Sequence, residues 1–568
     1  MIKILEPKKN NNNYIQDNKV IDNIKTLILD NIYDNNIKFQ SVNFSFCKIL
    51  YALLTRYIKY DKEKIITSLP ITPLINSTLY MCSKITVEDL KNNNQSFYTY
   101  NQDDGFSLSI GDAVGKSIIN SKYENVKRKN IYFSNTYYLC DEKILNEGKN
   151  YTCIKLAGEY KLNRLITVCL INNEKYTEKL HETFKINSWN VYKINEDSDF
   201  NTIFDTLKKA TSSKTKPVCI LIKKQNEKSI KDNSMLNLKT VTNYKKKFGI
   251  RDILYTVYED NTSYCKTLDE VLIKEQNKIK IINKETNENN ETNILLNGID
   301  DEEFKINKLI SIEDVKYNYN LSDYKDIVGG IQSGIYNLGF KVISITKLKD
   351  SNYLLPNIIK STLNNEHILY IIEEGYDDLD KNYISINYLR SIPDLSFYRP
   401  CSNNEFLGAY KSFLKNNNTS VIVIPDFYDK QIKNTKIDEV DNGAYYLTNE
   451  KGSAGILISS GVDVSIALDV YKKLKSIGII INVVSMPSTY RFMMQDNKYK
   501  DKILKNKAKA VVESSLSLYW YSFGLNDKQI CCIKRIDKES LNIRKTCKLT
   551  VDDVYNKVKK IYTKSSKE

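Results

Sequence analysis

The stretch from residue 131 to residue 172 constrains the fold of this chain more than any other segment. Its first apolar run ends at Leu139, two residues before Asp141. Its second apolar run, Leu165 to Ile171, ends immediately before Asn172. The segment between the two runs contains a turn and a small-residue helix around Leu156-Ala157-Gly158. The order of elements is strand, turn, helix and strand, which predicts a parallel sheet with a right-handed crossover.

Two oxygen-bearing side chains follow these predicted strands. In an open parallel sheet, ligands bind beyond the carboxyl ends of the strands, which is where Asp141 and Asn172 are expected. Octahedral Mg²⁺ binds carboxylate and amide oxygens together with phosphate oxygens. Polar residues are also ordinary in the loops that follow strands. The residues alone therefore leave two interpretations open, a metal-diphosphate site and a pair of loop residues.

The rest of the chain continues the alternation of helices and strands. A segment of helical spacing, FNTIFDTLKKA, precedes an apolar strand from Pro217 to Lys223. Nearer the C-terminus, the pattern predicts a βαβ unit from Ala454 to Ser485, with adjacent parallel strands at Ile456–Ile458 and Ile479–Val484. Gly478 is expected to end the helix between them.

The stretch described first resembles the thiamine-diphosphate fingerprint of transketolases, through the sequence YYLCDEKILNEGKNYTCIKLAGEYKLNRLITVCLINNE. In that fingerprint Gly-Asp-Gly opens the turn, Glu-Gly closes it, and an Asn follows the next strand. Cys140 and Glu142 stand where the family has its two glycines, and the turn holds one residue more than usual.

Segments later in the chain resemble the same family. The middle of the chain carries FYRPCSNNEFLGAY, from Phe397 to Tyr410, and the C-terminal part carries GAYYL, ISSGVDVSIAL, INVVSMPSTYRF and SLYWYSFGLN. Ordered matches in three places identify the chain as a member of the transketolase family.

The 568 residues give room for two to four domains. Asn-rich segments mark expected surface loops and domain boundaries, at 10–13, 92–94, 283–293 and 416–418. We predict three doubly wound α/β domains with largely parallel sheets. They are an N-terminal diphosphate-binding-type domain at 1–245, a middle pyrimidine-binding-type domain at 265–430, and a transketolase C-terminal-type domain at 443–568.

Composition narrows the class of protein. A net charge of +15 invites a nucleic-acid interpretation, but the lysines are spread along the whole chain and form no compact basic cluster. No apolar run approaches the ~18 residues of a membrane span. The first residues continue into Asn-rich sequence without the apolar core of a secretory signal. The eleven cysteines form no Cys-x-x-Cys pair, which favours buried reduced thiols. We therefore expect a cytoplasmic protein that binds neither membranes nor nucleic acid.

The resemblance implies a homodimer with active sites at the subunit interface. Thiamine diphosphate and a divalent metal, Mg²⁺, would bind between the first domain of one subunit and the second domain of the other. The cofactor would pass a two-carbon ketol unit from a ketose phosphate to an aldose phosphate. Asp141, Asn172 and the main-chain oxygen of Glu174 correspond to the metal ligands. Asp141, Asn172 and Glu147 correspond to cofactor-binding positions, Glu147 through an interface carboxylate network.

The histidines that the family uses for proton transfer are missing. The chain contains two histidines, His181 and His367, and neither falls on a family histidine position. The family's Ser-Gly-His-Pro-Gly segment corresponds to residues 34–46, which contain no Gly, His or Pro. Its Asn-Gly-His segment matches residues 69–71, and its later His-Gly-Ala-Pro segment has no counterpart after Lys224.

The cofactor loop and the catalytic glutamate are also altered. The family's glycine-rich loop aligns with Asp104 to Ser109, where its later glycines are Ser107 and Ser109. The catalytic glutamate aligns with Lys325, or with Asp326 after a slip of one residue. Lysine cannot accept the hydrogen bond that the cofactor requires, and aspartate is one methylene shorter than glutamate.

Charge at the remaining positions opposes phosphate binding. The phenylalanines that stack on the pyrimidine align with Lys347 and Asp350, and the arginine that binds the sugar phosphate aligns with Asp426. Glu142 adds a carboxylate beside the expected diphosphate, unless the extra residue of the turn moves it away.

Two hypotheses follow from this resemblance and these departures. The first is a non-catalytic, dimeric transketolase homologue, or a partner subunit for an intact homologue. The second is an active transketolase that uses thiamine diphosphate and a divalent metal in an unusual site. An intact transketolase encoded by the same genome would favour the first hypothesis, and its absence would favour the second.

Overall fold

The computed structural model describes residues 14–58, 65–92, 99–101, 108–122, 135–145, 148–225, 230–258, 261–265, 293–297, 315–374, 379–425, 432–504, 508–534 and 543–565. The chain divides into two compact units, one up to residue 289 and one from residue 290 onward. Within the described ranges, no helix has both the length and the apolar character that a membrane span requires.

The first unit is built on one parallel sheet. Its strands are β1 (Ile65–Thr67), β2 (Thr99–Asn101), β3 (Thr136–Asp141), β4 (Leu165–Ile171), β5 (Asn190–Asn195) and β6 (Val218–Lys223). They lie in the order β2-β1-β3-β4-β6-β5, and every neighbouring pair is parallel. The predicted strands β4 and β6 are confirmed. The first predicted apolar run forms a strand from Thr136, and residues 131–134 lie outside the described ranges.

Helices connect these strands and cover the sheet. They span Ile15–Asp34, Val42–Ser45, Cys47–Ala52 with a π-helical turn at Leu53–Tyr57, Thr72–Met81, Val87–Lys91, Leu108–Lys122, Glu142–Leu145, Gly148–Glu159, Lys175–Ile186, Phe200–Thr211 and Leu238–Lys247. The predicted small-residue helix is present, and at Gly158 a Cβ atom would lie 1.7 Å from the main-chain oxygen of Asn187, at the end of the helix Lys175–Ile186. Trp189 is buried beside it and donates its indole N–H to the Ile154 carbonyl, 2.9 Å away.

The second unit contains two sheets. The first has β7 (Asn293–Asn297), β8 (Val315–Asn320), β9 (Lys341–Lys347), β10 (Leu369–Glu374), β11 (Ser396–Tyr398) and β12 (Ser420–Pro425). These strands are parallel, in the order β11-β12-β10-β9-β7-β8. The second has β13 (Tyr445–Tyr446), β14 (Gly455–Ser459), β15 (Asn482–Ser485), β16 (Ala508–Leu516) and β17 (Ile530–Ile533). Their order is β13-β15-β14-β16-β17, and β13 alone among these described strands runs antiparallel to its neighbour.

The helices of the second unit follow the same alternation. They span Val328–Tyr336, Leu355–Leu363, Leu379–Ser391, Asn403–Lys415, Val464–Lys475, Thr489–Met493, Asn497–Leu504, Ile543–Thr546 and Val551–Ser565. One hydrophobic core holds buried residues of both sheets, among them Leu369 of β10 and Leu457 of β14. The predicted α/β class with largely parallel sheets is confirmed.

The predicted βαβ unit near the C-terminus is present, with one shifted boundary. Ile456 pairs with Asn482 in parallel register, so β14 and β15 are adjacent as predicted. The second strand begins at Asn482 rather than Ile479. The N–H of Ile479 donates to the Leu474 carbonyl at 3.0 Å and closes the end of the helix, so it is not available to the sheet. Gly478 takes the left-handed conformation (φ 82°) that this closure needs.

Candidate functional site

The two predicted ligand positions lie at the ends of neighbouring strands. Asp141 is the last residue of β3 and pairs with Leu170 of β4, and Asn172 directly follows β4. Both strands are fully buried up to these ends, because apolar side chains fill both faces of the sheet. The carboxyl edge of β3 and β4 is therefore the candidate site, as the sequence predicted.

One oxygen of Asp141 is used within its own turn. Its Oδ1 accepts the N–H groups of Lys143 and Ile144, each at 3.1 Å. These are the first N–H groups of the short helix Glu142–Leu145, which lack partners inside the helix. Asp141 thus stabilises the helical turn that replaces the family's glycine-opened turn.

Glu142 lies against Asn172. Its Oε2 accepts the main-chain N–H of Asn172 at 2.9 Å and the side-chain Nδ2–H at 3.0 Å. Glu142 is 3% exposed, whereas Asn172 is exposed. The additional residue of the turn therefore does not move Glu142 away from the candidate site. The Glu142 carboxylate therefore occupies both N–H donors of Asn172.

The other residues of the first unit that were predicted to lie at the cofactor site are Glu174, Glu147 and the two serines of the loop. The main-chain oxygen of Glu174 accepts the N–H of Thr177 at 3.0 Å, at the start of a helix. The Glu174 carboxylate is exposed and pairs with Lys223, which lowers its pKa. Glu147 and Ser107 lie outside the described residues, and Ser109 lies in the helix Leu108–Lys122.

No group of three or more His, Cys, Asp or Glu side chains among the described residues is arranged to hold a metal ion.

Cys140, at the position of the family's first glycine, is buried in β3 opposite Cys169 of β4, and burial raises the pKa of its thiol.

In the second unit, two substituted family positions form an ion pair. Lys325 Nζ lies 2.9 Å from Asp350 Oδ2, with 40% of the lysine side chain and 13% of the aspartate side chain exposed. Asp326 is half-buried next to Lys325, and Lys347 is the last residue of β9. Asp426 lies outside the described residues. The sequence analysis singled out Lys325 and Asp350 separately and did not predict their contact. Their opposite charges, at two positions aligned with the same family site, were the signal that could have predicted it.

Of the two histidines, His367 is held in place by its neighbours. His367 Nε2 lies 2.8 Å from the Phe413 carbonyl oxygen, and the two rings are 4.1 Å apart. His181 is half-buried on the helix Lys175–Ile186. Burial lowers the pKa of both imidazoles. His367 is therefore packed as a structural residue, while His181 lies on the helix that follows β4.

A buried cluster of charges in the second unit escaped the sequence analysis. Arg399 is fully buried and contacts three carboxylates, Glu374 at 2.5 Å and Asp463 and Glu513 at 3.2 Å. Arg390 contacts Glu513 through two further hydrogen bonds of 2.9 and 2.7 Å. Burial opposes the charge of Glu513, but the two arginines hold its pKa well below the usual range. We name these five residues the Arg399 cluster.

The Arg399 cluster depends on a glycine and on both sheets of the second unit. Glu374 ends β10, Arg399 follows β11, and Glu513 lies in β16. A Cβ atom on Gly461 would lie 2.7 Å from Arg399 Cγ, so only glycine leaves room for the arginine. The signal in the sequence was an arginine placed directly after an apolar strand, within the segment FYRP. Each charged group of the cluster contacts at least one group of opposite charge inside the protein, which is typical of a structural cluster.

Comparison with known proteins agrees with this architecture. Residues 100–292 match the family described as transketolase, thiamine diphosphate binding domain, and residues 443–536 match the transketolase-like C-terminal domain. The transketolase of Aquifex aeolicus is 23% identical over 641 aligned positions, which cover 92% of this chain and 91% of that protein. The transketolase of Mycoplasma genitalium is 22% identical over 503 positions, covering 74% and 76%.

Solved structures show the same fold. Transketolase from Leishmania mexicana superimposes with a TM-score of 0.83 at 19% identity, covering 96% of this chain and 97% of that one. Transketolase from Pichia stipitis, in complex with sedoheptulose-7-phosphate, superimposes with a TM-score of 0.80 at 18% identity, covering 97% and 98%.

Proposed function

Because this chain belongs to the transketolase family, we propose that it is a non-catalytic homologue that retains the family fold without ketol transfer. The observation that carries this proposal is the contact between Glu142 and Asn172. A thiamine diphosphate-binding domain is present in the chain. The proposal is that this domain keeps the fold but no longer binds the cofactor for catalysis.

Charge is the first reason why the residues do not fit a diphosphate. The Glu142 carboxylate already accepts both N–H groups of Asn172. A diphosphate oxygen placed there would be a second anion beside a buried one. At ~4 Å and an effective dielectric near 20, the repulsion is about 4 kcal/mol, which corresponds to about three decades in affinity.

The metal ligands are the second reason. An octahedral Mg²⁺ requires several oxygens converging on one point. Of the three predicted oxygen donors, Asp141 holds a helical turn through Oδ1, and the Glu174 carbonyl accepts an N–H of its own helix. The Nδ2–H of Asn172 donates to Glu142, which fixes the orientation of the amide. The residues present therefore do not fit thiamine diphosphate with its metal.

Proton transfer is the third reason. Lys325 stands where the family has its glutamate, and its ammonium group donates hydrogen bonds but accepts none. It is engaged by Asp350. Neither of the two histidines of the chain falls on a family histidine position, so the family's imidazole proton relay is not supplied.

One observation favours a second candidate function, an active transketolase with a rebuilt site. Asp141 and Asn172 remain at adjacent strand ends, and Glu142 binds the N–H groups of Asn172 rather than its amide oxygen. Such an enzyme would act on a ketose phosphate and an aldose phosphate, with thiamine diphosphate and Mg²⁺. The following experiment separates the two functions.

Thermal melting with millimolar thiamine diphosphate and MgCl₂ tests the proposal. A cofactor at a hundredfold its dissociation constant would stabilise the fold by about 2.7 kcal/mol, or several degrees in melting temperature. We expect no rise in melting temperature that depends on Asp141. The Asp141→Ala variant, compared with its own ligand-free melt, is the control. A rise of several degrees that Asp141→Ala removes would contradict the proposal.

As a non-catalytic homologue, the chain is proposed to act as a homodimer or as a subunit paired with an intact homologue in the cytoplasm. Its cysteines support a reducing compartment, since ten of the eleven are buried free thiols. Sedimentation equilibrium at micromolar concentration is expected to give about twice the 65.9 kDa chain mass. A monomer over that range, with no association on addition of an intact transketolase, would contradict this assignment.

A further inference from the structure

A cavity of about 870 Å³ opens in the second unit, away from the candidate site of the first. It lies between strand β17 and the helix Val551–Ser565, with the turn after the helix Ile543–Thr546 at its edge. Its lining residues are Ile530, Cys531, Cys532, Lys534, Thr546, Cys547, Lys548, Asp553, Asn556, Lys557 and Lys560. The family's ketol chemistry, as outlined above, assigns no role to this cavity.

The charged groups of the cavity are mostly cations. Four lysines face one aspartate. The Asp553 carboxylate accepts the Thr550 hydroxyl at 2.6 Å, so it is used at the start of its helix. Lys557 donates to the Ile530 carbonyl, and Lys534 pairs with Asp527.

The other two lysines are available to a ligand. Lys548 and Lys560 have no ion-pair partner within the described part of the chain, and both are exposed. Lys548 also has a left-handed backbone (φ 56°), a conformation that asparagine and glycine adopt at lower cost. Lysine at this position places a cation at the edge of the cavity, although it does not favour the left-handed conformation of the turn.

We propose that this cavity binds a small molecule that carries several phosphate groups. Its volume lies within the range of small-molecule sites, roughly 300–1,000 Å³. The lysines supply charge-assisted hydrogen bonds to phosphate oxygens. The residues of β17 that line the cavity carry no charge, and Cys531 packs on the face of the sheet that the helix Val551–Ser565 covers, so this side forms an uncharged wall. A concave site of this size suits a compact polyanion better than a nucleic-acid strand, which requires an extended basic groove.

Calorimetric titration of the full chain with inorganic tripolyphosphate, and separately with ATP, tests the proposal. Both are expected to bind at sub-millimolar concentration in low salt. Lys548→Asn and Lys560→Ala are each expected to weaken binding about fivefold or more, because each removes a cation from the lining. Binding of tripolyphosphate that is as tight as or tighter than that of ATP would identify the phosphates alone as the ligand chemistry, and tighter binding of ATP would show that the uncharged wall contributes.

Two variants serve as matched controls. Lys559→Ala removes the same charge from the same helix, but Lys559 lies over the Tyr555 ring, 5.6 Å from its centroid, and does not line the cavity. Lys559→Ala and Asp141→Ala are expected to change the affinity less than twofold. Lys548→Asn is compatible with the left-handed turn, so its ligand-free melting temperature is expected to match that of the parent chain.

Three outcomes would overturn the proposal. One is no heat of binding for either polyanion at 1 mM. Another is equal weakening by Lys559→Ala and Lys548→Asn, which would indicate attraction by the whole charged surface. The third is a single-stranded oligonucleotide that binds more tightly than tripolyphosphate and is weakened by the same two variants, which would make the cavity part of a nucleic-acid surface.

Discussion

Replacing Arg399 with methionine is expected to lower the free energy of unfolding by about 3–5 kcal/mol, because breaking a buried ion pair leaves uncompensated charge inside the protein. Arg399 is fully buried and is the partner of Glu374, Asp463 and Glu513. Methionine fills part of the space but offers no donor to these carboxylates. For a unit of this size, the melting temperature is expected to fall by about 6–15 °C.

The control for this prediction is an exposed ion pair in the same unit. Lys411 pairs with Asp438 at 3.5 Å, with 64% and 92% of the side chains exposed. Lys411→Met is expected to change the free energy of unfolding by less than about 0.5 kcal/mol, since solvent screens the pair. Differential scanning calorimetry of the three proteins measures the effect. Equal melting temperatures for Arg399→Met and Lys411→Met would show that the Arg399 cluster is not a stabilising element.

Replacing Glu142 with glycine is expected to raise the affinity for thiamine diphosphate with Mg²⁺ by up to about three decades. The change removes a buried carboxylate, releases both N–H groups of Asn172, and places a glycine where the family has one. The size of the effect follows from the repulsion of about 4 kcal/mol between two charges ~4 Å apart at an effective dielectric near 20. Isothermal titration calorimetry of the parent chain and the variant measures it.

Glu142→Gln separates charge from size. Glutamine keeps the side-chain volume and a carbonyl acceptor for Asn172 but carries no charge. If charge repulsion by Glu142 limits cofactor binding, the glutamine and glycine variants gain similar affinity for thiamine diphosphate. If the size of the side chain limits binding, only the glycine variant gains affinity. Adding Asp141→Ala to either variant is expected to remove the gain, which distinguishes this site from the lysine-lined cavity. Unchanged, undetectable binding in both Glu142 variants would show that other departures in the site dominate.

The fold was predictable because it rests on patterns that are local in the sequence. The apolar run Leu165–Ile171 is a strand with those same ends, and the helix before it required Gly158 at its point of closest approach. The ordered resemblance in three segments added the family. The start of β15 was wrong by three residues, since the hydrogen bond that closes the preceding helix uses the N–H of Ile479 and shortens the strand.

The candidate site was predictable in position but not in its contacts. Asp141 and Asn172 lie at neighbouring strand ends as expected. That Glu142 binds Asn172, and that Lys325 pairs with Asp350, depends on side-chain directions across separate elements. The Arg399 cluster was missed for the same reason, because its members are far apart in the sequence: Glu513 lies 114 residues after Arg399.

A coupled ketol-transfer assay tests the central claim most directly. The purified chain is supplied with millimolar thiamine diphosphate and MgCl₂, a ketose phosphate donor and an aldose phosphate acceptor, and product formation is followed against an enzyme-free blank. We expect no turnover above the blank, because the proposal places Lys325 at the position of the family's glutamate, neither histidine at a family position, and the Glu142 carboxylate against Asn172. Turnover that Asp141→Ala abolishes would contradict this account and identify the protein as an active transketolase.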